Sequence, residues 1–500
     1  MDKNAIKTYA VWARNELRDR VSKKLDQYEI TASADANADS VRGELLTKDE
    51  KSQRAKAIEK VKEKGVDQVI EEVAYTWFNR FSALRFMEVN NYLPTRIRVF
   101  TDENNAFKPQ ILTEAIHMEL DGLDMEKVYD LKEKNNNDEL FKYLIITQCN
   151  ALSEILPGMF QKISDYTELL FPDNLLREGS VIEQMIKKIP QEDFNAESGD
   201  GQVEILGWLY QYYISEKHEE VVDPLHGKVV KKEEVPAATQ LFTTDWVVRY
   251  IIDNSVGRYW IERNPESKLK DDLQYFVMPK DGNLPIVNEK VTPQDITVFD
   301  PCVGSGHFLV YAFEVLIKIY VEYGYTEREA AKEIVEHNLF GLDIDDRAVQ
   351  LAYFAVMMKA RQYDRRFFSR DLQPHVHCIE ESNGITSAPL HDMGVGFSQE
   401  DYGNAVKQTM KLIDEFQDAK EYGSILQISK LDWDLLRRFA IPRGVSEGQL
   451  ELDIHGEQAA AVKLQEIINV AEIMTEKYAV VATNPPYLNK YDPKLKNYMP

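Results

Sequence analysis

Residues Ile296 to Leu309 read Ile-Thr-Val-Phe-Asp-Pro-Cys-Val-Gly-Ser-Gly-His-Phe-Leu, and the apolar run Val310 to Leu316 follows directly. A β-branched strand that breaks into a Gly-x-Gly turn and resumes as an apolar helix lets backbone approach a nucleoside-sized ligand, with helix N–H groups aimed at it. This confines the segment to an open α/β sheet with a ligand at the carboxyl ends of its strands. It is not a Walker loop, because no Gly-Lys-Ser/Thr follows, and it lacks the Gly-x-Ser-x-Gly spacing of a hydrolase elbow.

About one βα unit later, Leu339-Phe340-Gly341-Leu342-Asp343 is expected to form the next strand, and an acid at its end suits the two hydroxyls of a ribose. Asp343 is the candidate, with helix capping as the competing use. Asp345 and Asp346 precede Arg347-Ala348-Val349 and are expected to cap that helix, where negative charge is favoured. Much later, the apolar run Ala479 to Ala482 leads into Thr483-Asn484-Pro485-Pro486-Tyr487. Two prolines fix φ, remove two donors and hold Asn484 extended, so the turn presents acceptors only. The Asn484 side-chain oxygen and the Pro485 carbonyl can accept both hydrogens of a planar exocyclic amine, leaving its lone pair available for attack. Tyr487 offers a ring face on which a planar base stacks, worth ~1–3 kcal/mol. The bland alternative is a strand-ending turn with a core tyrosine.

These elements, in this order, resemble the S-adenosylmethionine-dependent methyltransferases that modify adenine N6 in DNA. The resemblance implies an α/β, Rossmann-like methyltransferase core that takes S-adenosyl-L-methionine, with Thr243, Asp300, Pro301, Gly304, Gly306, Phe308, Asp343 and Ile344 on the cofactor. It implies Asn484, Pro485, Pro486 and Tyr487 around an adenine flipped out of duplex DNA. Ala238 to Val248 is similar to the family's Phe-Thr-Pro segment, which covers the cofactor; here Thr244 stands in place of the proline, and Thr243 is expected to cap the following helix. The cofactor's adenine is expected beyond a third strand, Val376 to Ile379, where Glu380, Ser382 and Asn383 are candidates and Asn383 is preferred. His375, His377 and Cys378 would be the only metal candidates, and no second cluster with zinc spacing accompanies them, so no metal is expected.

The aromatic-rich segments Ala74 to Leu93 and Glu204 to Tyr213 resemble the helical leader of the PglX family, the adenine methyltransferases of bacterial BREX phage-defence systems. That resemblance covers nearly the whole chain. It implies a role in marking self DNA, with other BREX defence proteins and phage-encoded DNA mimics as partners beside double-stranded DNA. Without the resemblance, these segments read as core helices. Arg80, Arg85, Arg96 and Arg98 are read either as phosphate contacts or as an ion-paired surface. Two other readings stay open: a noncatalytic DNA-scanning subunit that uses the cofactor structurally, and an amino-methyltransferase of glutamine or ribosomal RNA. The triplet Glu266-Ser267-Lys268 has no strand before it and is not read as a nuclease site.

A net charge of −24 opposes phosphate binding, so DNA contact is expected on local basic strips, Arg361 to Arg370 and Lys490 to Lys496, or on a part not contained in these 500 residues. Further strands and a target-recognition region are expected after Tyr487, making the sequence the leading part of a longer protein. Three cysteines at no framework spacing, no signal peptide and no bilayer-length apolar run lead to the expectation of a cytoplasmic protein without disulfides. The organisation expected is a helical domain over 1–225, a charged linker around Lys217 to Glu234, and a methyltransferase core over 226–500 with a helical insertion around 395–475.

Overall fold

Helix Val66–Val89 begins at Gly65 and carries an almost unbroken buried stripe, including Trp77, Phe78, Phe81 and Phe86. Such a helix cannot end on one apolar face, and it is packed against helix Lys3–Gln27 on one side and helix Lys48–Lys64 on another. The Trp77 ring meets Phe171 edge-on at 4.5 Å, and Phe81 meets Phe100 at 6.1 Å. The computed structural model describes residues 1–161, 166–197, 202–221, 243–386, 389–441 and 457–485. They fall into two units, Met1–Glu220 with Arg365–Asp371, and Val221–Asp364 with Leu372–Pro500.

Among its described residues, the regular structure of the first unit is helical apart from a hairpin, β1 (Ser40–Val41) and β2 (Glu44–Leu45), turned by Arg42 and Gly43 at positive φ. Its interior answers the question left by the arginines. Arg85 is fully buried, donates to Glu88 Oε1 at 2.5 Å and reaches Thr101 and Asn105. Arg80 is also buried; it donates to the Gln161 carbonyl and lies over the Trp77 ring. Neither is available to a phosphate, which corrects that half of the sequence reading. Helix Ile205–Val221 runs through Lys217 and His218, where a linker was expected.

The second unit is built on a four-stranded parallel sheet in the order β5-β4-β3-β6, with β3 (Val298–Asp300), β4 (Leu339–Asp343), β5 (His375–Cys378) and β6 (Val480–Val481). Register pairs Phe299 with Phe340 and Phe340 with His375, and Tyr478 stacks on Phe299 at 4.6 Å, so one face carries a row of rings. The rings of Phe299, Phe340 and Tyr478 pack on a cluster supplied, apart from Leu342, by the segment between β5 and β6, whose described α-helices are Gln399–Glu415, Ala419–Tyr422, Trp433–Phe439 and Glu457–Thr475. Helices His307–Tyr323 and Asp346–Tyr363 serve as the crossovers from β3 to β4 and from β4 to β5. The chain steps outward from β3 to β5 and then returns to the far side of β3 with β6. The strand order therefore reverses beside β3, and this is where open α/β sheets bind ligands.

Candidate active site

Asp300 ends β3 and is completely buried, with Oδ1 accepting from the Cys302 N–H at 3.1 Å. Burial pushes its carboxyl up to about 7; the Thr483 hydroxyl and the Cys302 N–H work against that rise, and the Asp343 charge adds to it. Thr483 lies close enough to favour the ionised form without forming an aligned bond: Asp300 Oδ2 and Thr483 Oγ1 are both buried and unpartnered among the described residues. A buried acceptor left open is costly, so the pair marks a place where a donor belongs.

The glycine turn that follows is held from β4. Val303 N–H donates to the Leu342 carbonyl at 2.8 Å, and Gly304 N–H donates to Asp343 Oδ2 at 2.9 Å. Gly304 and Gly306 both have positive φ, for different reasons. A Cβ on Gly304 would meet nothing within 4 Å, whereas one on Gly306 would stand 2.9 Å from Ala352 Cα in helix Asp346–Tyr363. Gly306 is thus kept small by a neighbouring helix in any case, and the open side of the turn is at Gly304. Pro301 is part-exposed at the strand exit, and Phe308 is buried in the first turn of helix His307–Tyr323.

Asp343 is half-buried at the end of β4; its Oδ1 accepts from the Asp345 N–H at 3.0 Å. Burial pushes the Asp343 carboxyl up to about 6, against the N–H bonds from Asp345 and Gly304. Asp345 caps the next helix through the Arg347 N–H, as its position in the sequence predicts, and pairs with the Arg347 guanidinium. Ile344 faces the insertion: a Cβ on Gly423 would be 3.4 Å from its Cγ2.

Beyond β5 the candidates separate. Asn383 exchanges two bonds with Asp418, donating to Oδ1 at 2.8 Å and accepting from the backbone N–H at 2.9 Å. Ser382 is buried and donates to the Ile413 carbonyl. Glu380 pairs at 3.6 Å with Lys420, which also lies 3.4 Å from Asp346. The ligand atoms of Asp346, Cys378 and Glu380 lie within 4.8 Å of one another, and the Lys420 ammonium already supplies the local positive charge. His375 and His377 do not join this group, since His375 Nε2 is on the Glu336 carbonyl and His377 Nδ1 is on Glu466. The insertion also touches the glycine turn, Cys302 Sγ lying 3.5 Å from Ser424 Oγ. Sequence reasoning missed Lys420 and Ser424, which sit in an insertion with no motif of its own.

Asn484, beyond the end of β6, donates from Nδ2 to Thr243 Oγ1 at 3.1 Å. The Thr243 carbonyl is in turn 3.1 Å from His307 Nδ1. Thr243 does not cap the helix Asp245–Ile252; the cap position falls on Thr244, which makes no side-chain capping bond. The Thr243 hydroxyl is instead used on the asparagine. Pro485 is exposed, while Pro486, Tyr487 and the strip Lys490 to Lys496 lie outside the described residues. Thus Thr243, Asp300, the glycine turn, Asp343 and Asn484 sit on connected elements at the reversal of strand order, and the Asn383 side chain is engaged by Asp418 of the insertion.

Residues 281–389 match the MmeI DNA-methyltransferase domain family, and residues 337–499 match the Eco57I restriction-modification methylase family. The chain is 36% identical to the adenine-specific methyltransferase BrxX of Escherichia coli O9:H4 (strain HS), over 98% of this chain and 42% of that protein. It is 36% identical to the adenine-specific methyltransferase PglX of Lacticaseibacillus casei (strain Zhang), over 98% of this chain and 43% of that protein. A putative type II restriction enzyme and methyltransferase of Methanocaldococcus jannaschii is 26% identical over 39% of this chain. The chain spans about two-fifths of the length of the two curated relatives it matches from end to end. By sequence, nearly the whole of this chain is similar to part of the proteins named as the adenine-specific methyltransferases PglX and BrxX.

Proposed function

We propose that this chain carries the catalytic centre of an S-adenosylmethionine-dependent methyltransferase acting on adenine N6 in DNA, within a phage-defence system that marks self DNA. The observation that carries the reading is the anchored Asn484 amide. With Nδ2 bound to Thr243, the amide's rotation is set and its oxygen is committed to the other side, as an acceptor for an amine. The Asn484 oxygen and the Pro485 carbonyl then take the two N–H groups of the target, holding the nitrogen with its lone pair directed for in-line attack.

The cofactor fits the groups present. Its ammonium suits the buried, unpartnered Asp300 Oδ2, its bulk suits the open side of Gly304, and its ribose suits the acid at the end of β4. When bound, the cofactor supplies an electrophilic methyl on a sulfonium. Asp300, Gly304 and Asp343 hold and orient it, while Asn484 and Pro485 orient the acceptor. Reaching the nitrogen of a paired base requires extruding it from the stack, and Tyr487 is assigned to receive it.

The test uses the full-length protein and mass spectrometry of digested DNA and of digested cellular protein. Asn484→Ala is expected to lower N6-methyladenine formation roughly 10²- to 10³-fold while leaving cofactor affinity intact, the range for removing one preorganised polar contact. Methylated cytosine or glutamine without methyladenine overturns the reading. Cofactor binding with no methyl transfer in the unmodified protein would favour a noncatalytic scanning subunit.

A further inference from the structure

We infer that His307 is a positioning residue, setting the Asn484 amide through Thr243 and so tying the cofactor turn to the grip on the target amine. The inference rests on the reading of Asn484 given above. His307 immediately follows Gly306 and opens helix His307–Tyr323, with its side chain buried. A carbonyl can only accept, so the 3.1 Å contact between Nδ1 and the Thr243 carbonyl requires the proton on Nδ1.

The other ring nitrogen, Nε2, faces Asp245 Oδ1 at 3.7 Å. Asp245 is held by Arg249, whose Nε donates to Oδ2 at 2.8 Å, and His307 and Arg249 together keep its carboxyl down at about 2. Arg249 lies over the Tyr311 ring at 4.6 Å, and the Tyr311 hydroxyl donates to the buried Asp253 at 2.8 Å. The segment Thr243 to Asp253 is therefore clamped to one helix at two points a turn apart. At the first point, the residue whose carbonyl His307 holds is the residue whose hydroxyl holds Asn484. Thr243 cannot keep its hydroxyl in place if its backbone is released, so the imidazole fixes the asparagine at one remove.

The two ring nitrogens can be separated by substitution. Asparagine at this position places a donor near Nδ1, and glutamine places one near Nε2. In the full-length protein, His307→Asn should keep kcat within about threefold, whereas His307→Gln and His307→Ala should lose roughly 10²-fold, the scale of a small misplacement at a reacting centre. KM for DNA and cofactor affinity should change little in all three. Thr243→Val should lose as much as His307→Ala, and the double variant no more than either alone.

Hydrogen exchange of the peptide containing Thr243, read without substrate, should speed up in His307→Gln and His307→Ala and not in His307→Asn. Unchanged exchange and unchanged kcat in His307→Ala overturn the inference, as does an active glutamine variant beside an inactive asparagine one. If exchange follows the expected pattern but the unmodified protein makes no methyladenine, the linkage stands and the assigned reaction falls.

Discussion

Gly304 and Gly306 stand in one turn and answer to different neighbours, so their alanine variants should fail in different ways. Gly306→Ala drives a methyl into the Ala352 backbone from a positive φ, and should cost ~1–3 kcal/mol from the backbone conformation alone, more with the collision. Gly304→Ala has open space and should cost no more than the conformational part, yet weaken cofactor binding. Thermal unfolding beside calorimetric titration separates them; equal losses of stability would show that both face the same packing. Asp300 gives a pH signature. A carboxyl raised in the folded state holds its proton more tightly than in the unfolded chain, so its contribution to stability is whole below the ordinary carboxylate range and is lost as pH rises through about 7. Cofactor affinity should run the opposite way, rising through the same range as the carboxylate forms to meet the ammonium. Asp300→Asn should flatten both slopes, and unchanged slopes in that variant would place the titration elsewhere.

Elements differ in how much of their role a sequence can reveal. The strand, turn and helix from Ile296 to Leu316 were legible because hydrophobic period, glycine spacing and β-branching all agree over one short stretch, and Asp345 was legible because capping is local. Thr243, His307 and Asn484 were not legible as a group, since they are joined across 64 and 241 residues by single hydrogen bonds that leave no periodicity. Arg85 stayed open between a phosphate contact and an ion pair although its partner Glu88 sits three residues on, because an arginine among aromatics suits a buried ion pair as well as a phosphate site. Removing one member of a buried pair strands the other, so Arg85→Ala should cost about 3–5 kcal/mol and leave the salt dependence of DNA binding unchanged. A reduced salt slope would return Arg85 to the DNA. In the insertion, Lys420→Met removes the cation shared by Asp346 and Glu380 and should cost on the order of 1–2 kcal/mol, between surface and buried pairs. Denaturant titration reads that loss, and an unchanged midpoint would mean the insertion is held by its apolar cluster alone.

For the whole chain, the proposed encounter with DNA is governed first by charge. With a net charge of −24, residues 1–500 alone should bind duplex weakly, release it at moderate salt, and favour a recognised site over a scrambled one by less than about tenfold, or ~1.4 kcal/mol. A competition assay at physiological salt checks this, and a larger preference would mean that the helical unit reads sequence. Among the described residues no helix is long and apolar enough to cross a membrane. The placement of β6 carries a further consequence, in time. Ala479 joins Thr297 across 182 residues, so the strand bearing Asn484 docks only after an excursion that includes two crossovers and the whole insertion. Closing so distant a pairing is slow compared with the neighbouring βα units. On a growing chain, the residues proposed for the methyl donor would therefore be gathered well before Asn484 joins them.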